Sequence, residues 1–139
     1  MLVMDNNASV VSSAPNKPKK LLIVEDDFFI RDLYGIEARG AGYETVIAAD
    51  GEEALERAKS SNPDLILMDV MLPKMDGISA LKALKADVQC ANIPVVLITN
   101  LEDSSKEQEA RQAGAKDYLL KIKNTPNMVV AGLGKYFAA

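Results

Sequence analysis

Five short stretches of mostly apolar residues are spaced along the chain. Residues 21–24, 65–68 and 93–98 are almost unbroken apolar runs, and residues 43–49 and 117–121 are weaker ones. Continuous apolar runs are typical of strands in a parallel sheet covered on both faces, because a sheet covered on one face alternates apolar and polar residues. The pattern therefore predicts five buried parallel strands.

The segments between these strands have apolar residues at helical spacing. The first helix is expected to end near Gly40 or Gly42, and the second to begin at Asp50, where Glu53 can complete a capping box. Pro63 is expected to end that second helix. The apolar faces predicted for the first three helices consist of Phe29, Leu33 and Ile36, of Ala54, Leu55 and Ala58, and of Leu81, Leu84 and Val88.

Two further helices complete the alternation of strands and helices. A mostly polar helix is expected to end at Gly114, and a last one to follow Pro126, although Gly132 and Gly134 weaken it. Five such units in a short chain favour an open, doubly wound α/β sheet with the flavodoxin-like strand order 2-1-3-4-5 over a closed eight-stranded barrel. Ligands of such sheets bind at the carboxyl ends of the strands.

Composition narrows the possible functions. The 139 residues carry a net charge of −4, which disfavours a nucleic-acid partner, and no apolar run approaches the roughly 20 residues that span a bilayer. The single cysteine, Cys90, excludes an internal disulfide and fits a reducing compartment, so we expect a cytoplasmic protein. The chain has no histidine, which excludes Ser-His and Cys-His catalytic pairs and His-ligated zinc.

The beginning of the chain differs from the rest. It is rich in Asn, Ser and Pro and ends in a small basic cluster. We therefore expect residues 1–18 to form a flexible extension and residues 19–139 to form one domain. A docking tail is the less favoured interpretation of the extension.

Chemically matched side chains stand at the carboxyl ends of the predicted strands. Those ends share one edge of the sheet, so three carboxylates crowd together there if the first and third strands are neighbours. Crowded carboxylates require a proton or a cation, and a set of oxygen ligands favours Mg²⁺, which attracts phosphate. A central aspartate could then act as a nucleophile. The residues are Glu25, Asp26 and Asp27 after the first strand, Asp69 after the third, Thr99 and Asn100 after the fourth, and Lys121 after the fifth.

Each of these residues also has an ordinary structural explanation. Asp69 could cap the turn that follows it, and Glu25 and Asp26 could begin a helix. Thr99 suits a strand, and Lys121 could be solvated. None of them indicates a function alone, and only their convergence from four separate segments does.

Four segments together resemble the receiver domain of two-component response regulators. They are LLIVEDD (21–27), DLILMDVMLPKMDG (64–77), IPVVLIT (93–99) and GAKDYLLK (114–121), in the order and at the intervals of that family. The resemblance extends from residue 20 to about residue 123. It implies a flavodoxin-like fold, Mg²⁺ as cofactor, and phosphorylation by a histidine kinase or histidine phosphotransfer protein.

The resemblance implies a role for each matched residue. Asp69 would accept the phosphoryl group, Thr99 and Lys121 would contact it, and Tyr118 would turn inward on activation. The implied metal site consists of Glu25, which would act through water, Asp26, Asp69 and the backbone carbonyl of Met71.

Some residues depart from the family pattern. Ile122 stands where proline commonly follows the lysine, and a cis bond before a non-proline residue costs about 2.5–4 kcal/mol, so this bond is either trans or strained. Asn100 is larger than the Ala or Gly that commonly follows the switch hydroxyl. The side chains of Met71 and Leu101 are apolar and unable to orient an attacking water, which predicts slow loss of the phosphoryl group.

The expected function is that of a signalling domain of a phosphorelay, rather than an enzyme. Because the chain has no histidine, its phosphoryl donor must be another protein. The few residues after Lys123 cannot form a DNA-binding output module, so we expect a downstream protein partner, no DNA and no membrane. That partner would read the face formed by the fourth strand, fourth helix and fifth strand. A stand-alone domain is favoured over a piece cut from a longer protein.

Two other functions are left open by the sequence. The first is a receiver-like adaptor that works without phosphorylation, which Ile122 and Asn100 make conceivable. The second, less favoured, is a phosphatase with an aspartyl nucleophile, although Met71 occupies the place where such enzymes carry a second aspartate.

Overall fold

The five apolar stretches form one parallel sheet in a computed structural model that describes residues 17–137. The predicted extension, apart from residues 17 and 18, therefore lies outside the described residues. The strands lie in the order β2-β1-β3-β4-β5, which confirms the predicted flavodoxin-like order. Their bounds are Lys20–Val24 (β1), Glu44–Ala48 (β2), Leu65–Asp69 (β3), Val95–Thr99 (β4) and Asp117–Leu120 (β5).

Helices connect the strands and cover both faces of the sheet. Each α-helix follows an Asp or Thr whose side chain accepts the backbone N–H three residues later, a standard N-cap. Within the described part of the chain, no helix is long and apolar enough to cross a membrane. The α-helices are Phe28–Gly40 (α1), Gly51–Ser61 (α2), Gly77–Ala86 (α3), Ser104–Gln112 (α4) and Pro126–Ala131 (α5), and 3-10 turns span Lys121–Lys123 and Leu133–Tyr136.

The predicted helix ends are confirmed by the backbone. Gly42 and Gly114 follow α1 and α4 with φ of 93° and 106°, the left-handed region that glycine enters without steric cost. Asn62, just before Pro63, ends α2 with φ of 51°. The carboxylate of Glu53 accepts the N–H of Ala49 at 2.7 Å, so it reaches one residue before the Asp50 cap rather than the cap itself.

Side-chain alternation divides the core into two layers. Leu22 and Val24 of β1 pack with α2, α3 and α4. Leu21 and Ile23 pack on the opposite face of the sheet, with α1 and α5. Every strand of a sheet covered on both faces buries successive side chains in different layers, which explains the unbroken apolar runs.

The prediction of which face of α1 packs on the sheet is wrong. Phe29, Leu33 and Ile36 are 79%, 48% and 53% exposed, whereas Tyr34 and Ala38 are buried against the sheet. The spacing is helical on both sides of α1, so periodicity identified the helix but not the side that packs. Burial of the side that carries Tyr34 and Ala38 leaves an apolar stripe of Phe29, Leu33 and Ile36 on the surface.

The predicted apolar face of α3 is one residue too long. Leu81 and Leu84 are fully buried, as expected, but Val88 is 97% exposed. The helix ends at Ala86, and the backbone N–H of Asp87 bonds to Leu84, so Val88 no longer follows the helical repeat.

Candidate functional site

An acid pair and a lysine meet at the carboxyl edge of the sheet. The Nζ atom of Lys121 lies 2.8 Å from Oε1 of Glu25 and 2.5 Å from Oδ2 of Asp69. The carboxylates are almost fully buried, and the lysine side chain is 13% exposed. Three residues that are far apart in sequence thus form one largely desolvated ionic cluster.

The fold explains why these side chains converge. Ile23 of β1 and Leu67 of β3 are neighbours in the layer under α1 and α5. Glu25 and Asp69 follow them by two residues, and alternate residues of a strand share a face of the sheet. Lys121 arrives at the same edge from the end of β5.

Asp26 adds a third carboxylate to the cluster. One carboxylate oxygen from each of Glu25, Asp26 and Asp69 lies within 4.8 Å of the others, with Asp26 exposed. This spacing and all-oxygen chemistry fit a hard divalent cation that also keeps water ligands. The backbone N–H of Met71 donates to Oδ1 of Asp69 at 2.9 Å, which fixes the turn after β3 against the acceptor carboxylate.

Burial and ion pairing act in opposite directions on the pKa values of the cluster. Burial raises the pKa of Glu25 to about 7, although the hydrogen bond from Lys121 acts in the opposite direction. Burial alone would lower the pKa of Lys121, but its bonds to Asp69 and Glu25 outweigh burial and leave that pKa above its usual value. The site therefore combines a positively charged lysine with a Glu25 carboxyl that resists ionisation.

The loop after β1 is held by contacts that the sequence did not reveal. Arg31 donates to the backbone carbonyl of Glu25 at 3.1 Å, and the N–H of Asp27 donates to the Glu25 carboxylate at 3.1 Å. Asp27 also caps α1, which supports its exclusion from the predicted site. The sequence does contain a signal for this role of Arg31. It is a basic residue in the second turn of the helix that follows the acidic loop.

Gly77 is a second residue that sequence reasoning passed over. A Cβ at this position would lie 2.2 Å from the backbone oxygen of Asp69 and 2.9 Å from Cα of Val70. The N–H of Gly77 also bonds to the Val70 carbonyl at 2.8 Å. Only glycine lets α3 begin this close to the end of β3, so Gly77 keeps the Asp69 backbone in place.

Thr99 and Tyr118 both hold the backbone at Leu101, in the segment between β4 and α4. The Thr99 hydroxyl accepts the N–H of Leu101 at 3.0 Å, and the Tyr118 hydroxyl donates to the Leu101 carbonyl at 3.2 Å. Thr99 is fully buried and Tyr118 is 6% exposed. The inward position of Tyr118, which was expected on activation, is therefore already present here.

The departures from the family pattern lie on the surface of the site. No peptide bond within residues 17–137 is cis, so the Lys121–Ile122 bond is trans. Ile122 is 83% exposed and Met71 is 59% exposed, and Asn100 is also exposed.

A known protein family matches most of this chain. Residues 21–131 match the family described as the response regulator receiver domain. The polar-differentiation response regulator DivK of Brucella anthropi is 37% identical over 112 residues, which cover 81% of this chain and 91% of that protein.

Solved structures have the same architecture. The chemotaxis response regulator CheY4 of Vibrio cholerae superposes with a TM-score of 0.79 at 32% identity, over 86% of this chain and 99% of CheY4. The response regulator Rcp1, solved in a Mn²⁺-bound form, gives a TM-score of 0.76 at 27% identity, over 88% of this chain and 100% of Rcp1. Sequence and structure thus point to one family.

Proposed function

Because the chain belongs to the response regulator receiver domain family, we propose that Asp69 accepts a phosphoryl group from a phosphohistidine of another protein. The observation that supports this most strongly is the Lys121 ammonium, which bonds to both Asp69 and Glu25. Receiver domains are signalling domains of two-component systems, and a fixed positive charge beside the acceptor suits phosphoryl transfer, where neutralising charge is the main task of the protein.

In the proposed step, a carboxylate oxygen of Asp69 attacks the phosphorus atom. A P–O bond forms, the P–N bond to the imidazole breaks, and its electron pair returns to the imidazole nitrogen. The ammonium of Lys121, which donates to the Asp69 carboxylate before the transfer, then donates in part to an oxygen of the transferred phosphoryl group. The buried position of Asp69, 4% exposed, limits the competing approach of water.

We propose Mg²⁺ as the cofactor. Glu25, Asp26, Asp69 and the backbone carbonyl of Met71 would hold it, with Glu25 acting through water. When bound, the ion supplies positive charge that offsets the charge of the phosphoryl oxygens. The three carboxylates within 4.8 Å of one another support this assignment, as does the Mn²⁺-bound form of the related Rcp1.

Donor docking is proposed at the apolar rim of the site. This rim consists of four apolar residues that are between 59% and 83% exposed, each within three positions of a proposed site residue in the sequence. They are Phe28, Phe29, Met71 and Ile122. Since Asp69 is recessed, a donor imidazole reaches it only when the surface around that imidazole covers this rim. Exposed apolar rims of this kind mark protein contacts, and a histidine kinase or histidine phosphotransfer protein is the proposed partner.

The proposed signal passes through Leu101. If the Thr99 hydroxyl donates to a phosphoryl oxygen, its bond to the Leu101 N–H is weakened, while Tyr118 still holds the Leu101 carbonyl. The segment between β4 and α4 then shifts, and the face formed by β4, α4 and β5 presents a different surface to a downstream protein partner.

Beryllofluoride, a mimic of the phosphoryl group, tests this function without a donor protein. Adding beryllofluoride and Mg²⁺ should change the amide NMR signals of Asp69, Thr99, Leu101 and Tyr118 in the wild type. The Asp69→Asn variant should show no such change. An unchanged wild-type spectrum would instead favour an adaptor that works without phosphorylation.

A further inference from the structure

Arg31 is a charged residue beside the site that the proposed transfer does not use. It lies in α1 and is half-buried, and its guanidinium donates to the backbone carbonyl of Glu25 at 3.1 Å. That carbonyl belongs to the peptide group that joins Glu25 to Asp26, the two acids that the loop after β1 contributes to the proposed magnesium site. Because a peptide group is planar, a bond to its oxygen also restricts the direction in which the chain continues at Asp26.

Asp26 depends on such support from its backbone. The Glu25 carboxylate is held directly, by the Lys121 ammonium at 2.8 Å and by the backbone N–H of Asp27 at 3.1 Å. The Asp26 carboxylate is exposed, and no group within residues 17–137 donates a hydrogen bond to it. Its position relative to the other two carboxylates is therefore set by the backbone of the loop, which the Arg31 guanidinium holds.

The same guanidinium makes a second contact, with an aromatic ring. Its Cζ atom lies 5.6 Å from the centroid of the Phe28 ring, a distance at which a cation is attracted to the face of the ring. Phe28 and Arg31 are three residues apart in α1, so their side chains are neighbours on the helix surface. Phe28 is 70% exposed and belongs to the proposed rim for donor docking. Arg31 thus links the apolar rim to the loop that carries Glu25 and Asp26.

We propose that Arg31 is a positioning residue of the magnesium site, which holds the peptide group between Glu25 and Asp26 while its guanidinium rests on Phe28. This role rests on the proposed function but concerns contacts already present in the metal-free protein. A donor that covers Phe28 removes water from the cation–π contact, which strengthens when it is desolvated. Donor docking therefore tightens the loop, and by linkage the donor and Mg²⁺ each bind more strongly in the presence of the other.

A role limited to the charge of Arg31 predicts the opposite effect on the metal. The guanidinium is positive and lies beside the proposed site of a cation, so its charge alone opposes Mg²⁺ binding, and an uncharged replacement would strengthen that binding. If Arg31 positions the loop, the same replacement weakens binding. If Arg31 only stabilises α1, the replacement lowers stability and leaves the Mg²⁺ affinity unchanged. The direction of the change in affinity therefore distinguishes the three roles.

The test compares Arg31→Met with Arg39→Met in the full chain. Methionine keeps much of the aliphatic side chain and removes the guanidinium. Arg39 provides the matched control, since it lies in the same helix and donates to the Thr45 hydroxyl of β2 at 3.4 Å. The primary readout is Mg²⁺ titration of the unphosphorylated protein. The second is the hydrogen-exchange rate of the Asp27 amide in the metal-free protein, because that N–H donates to Glu25 within the same loop.

Arg31→Met should weaken Mg²⁺ binding by about tenfold, the lower end for loss of a contact that orients metal ligands. It should also accelerate exchange of the Asp27 amide, whereas Arg39→Met should change neither readout. Phe28→Leu, which leaves Arg31 in place, should weaken Mg²⁺ binding by about two- to fivefold, the effect of a lost cation–π contact. In the Arg31→Met background the same change should have no further effect, because the two residues act through one contact.

Unchanged or stronger Mg²⁺ binding by Arg31→Met would overturn the inference, as would an equal loss in Arg39→Met. A loss caused by Phe28→Leu that persists in the Arg31→Met background would overturn the link between the rim and the loop. Failure of the wild type to bind Mg²⁺ would overturn the proposed cofactor instead, and exchange of the Asp27 amide would then decide whether Arg31 holds the loop.

Discussion

The Oδ2 atom of Asp69 lies 2.5 Å from Nζ of Lys121, and both side chains are largely withdrawn from solvent. The same ammonium reaches Glu25 at 2.8 Å. One lysine therefore compensates two buried acids before any cation is bound. A charge left alone in such a place is costly, so this relationship contributes to stability as well as to the proposed chemistry.

Lys121→Met should destabilise the metal-free protein by about 3 kcal/mol, because it leaves two buried carboxylates without a compensating positive charge. Lys82→Met is the matched control, since Lys82 forms an ion pair of 2.6 Å with Glu109 but both side chains are about half exposed. That control should lose less than about 1 kcal/mol. Urea unfolding measures both variants, and equal losses would show that burial of the Lys121 pair is unimportant.

The stability of the metal-free protein should fall as pH rises from about 4.5 to about 7. Glu25 has its pKa raised from 4.5 to about 7 by burial, so in this window the folded protein binds more protons than the unfolded chain. The contribution is fully present below pH 4.5 and is lost above pH 7, a change of roughly 3 kcal/mol. Glu25→Gln should remove this fall in urea unfolding with a chelator present. A wild-type profile that matches Glu25→Gln would contradict the assignment.

Gly77→Ala should destabilise the protein by about 1–3 kcal/mol and weaken Mg²⁺ binding, because the added Cβ would meet the backbone oxygen of Asp69 at 2.2 Å. Gly40→Ala is the control, since no atom lies within 4 Å of a Cβ there and the residue ends α1. We expect Gly40→Ala to be neutral or slightly stabilising. Thermal unfolding and Mg²⁺ titration check both variants, and normal Mg²⁺ affinity in Gly77→Ala would argue against its role at Asp69.

The phosphoryl group should be lost slowly, because Met71 and Leu101 present apolar side chains where a water would be oriented. Met71→Asn combined with Leu101→Glu should accelerate that loss by at least about tenfold, as expected of added groups that position a water and accept its proton. Met128→Asn, an exposed methionine on α5, should leave the rate unchanged. Decay of the phosphorylated protein is followed by intact mass, and an unaltered rate in the double variant would refute the explanation.

The sequence was sufficient to predict the sheet and the acid–lysine cluster, for a physical reason. Strands such as Leu65–Asp69 are buried on both faces, so the apolar run alone identifies them, and the carboxyl ends of parallel strands must share an edge. Asp69 and Lys121 could thus be placed together without coordinates. Their 2.5 Å bond agrees with that prediction, and the roles assigned to the residues remain proposals.

The packing side of α1 could not be predicted in this way. Phe29 and Leu33 are strongly apolar, yet they face solvent, whereas Tyr34 and Ala38 pack on the sheet. Periodicity locates two candidate faces, and only the space between helix and sheet decides which of them is buried.

Phosphorylation of Asp69 is tested most directly by incubating the protein with acetyl phosphate and Mg²⁺ and measuring its intact mass. The wild type should gain one phosphoryl group, whereas Asp69→Asn, or the wild type with a chelator, should gain none. An equal gain by Asp69→Asn, or no gain by folded wild-type protein that binds Mg²⁺, would contradict the account.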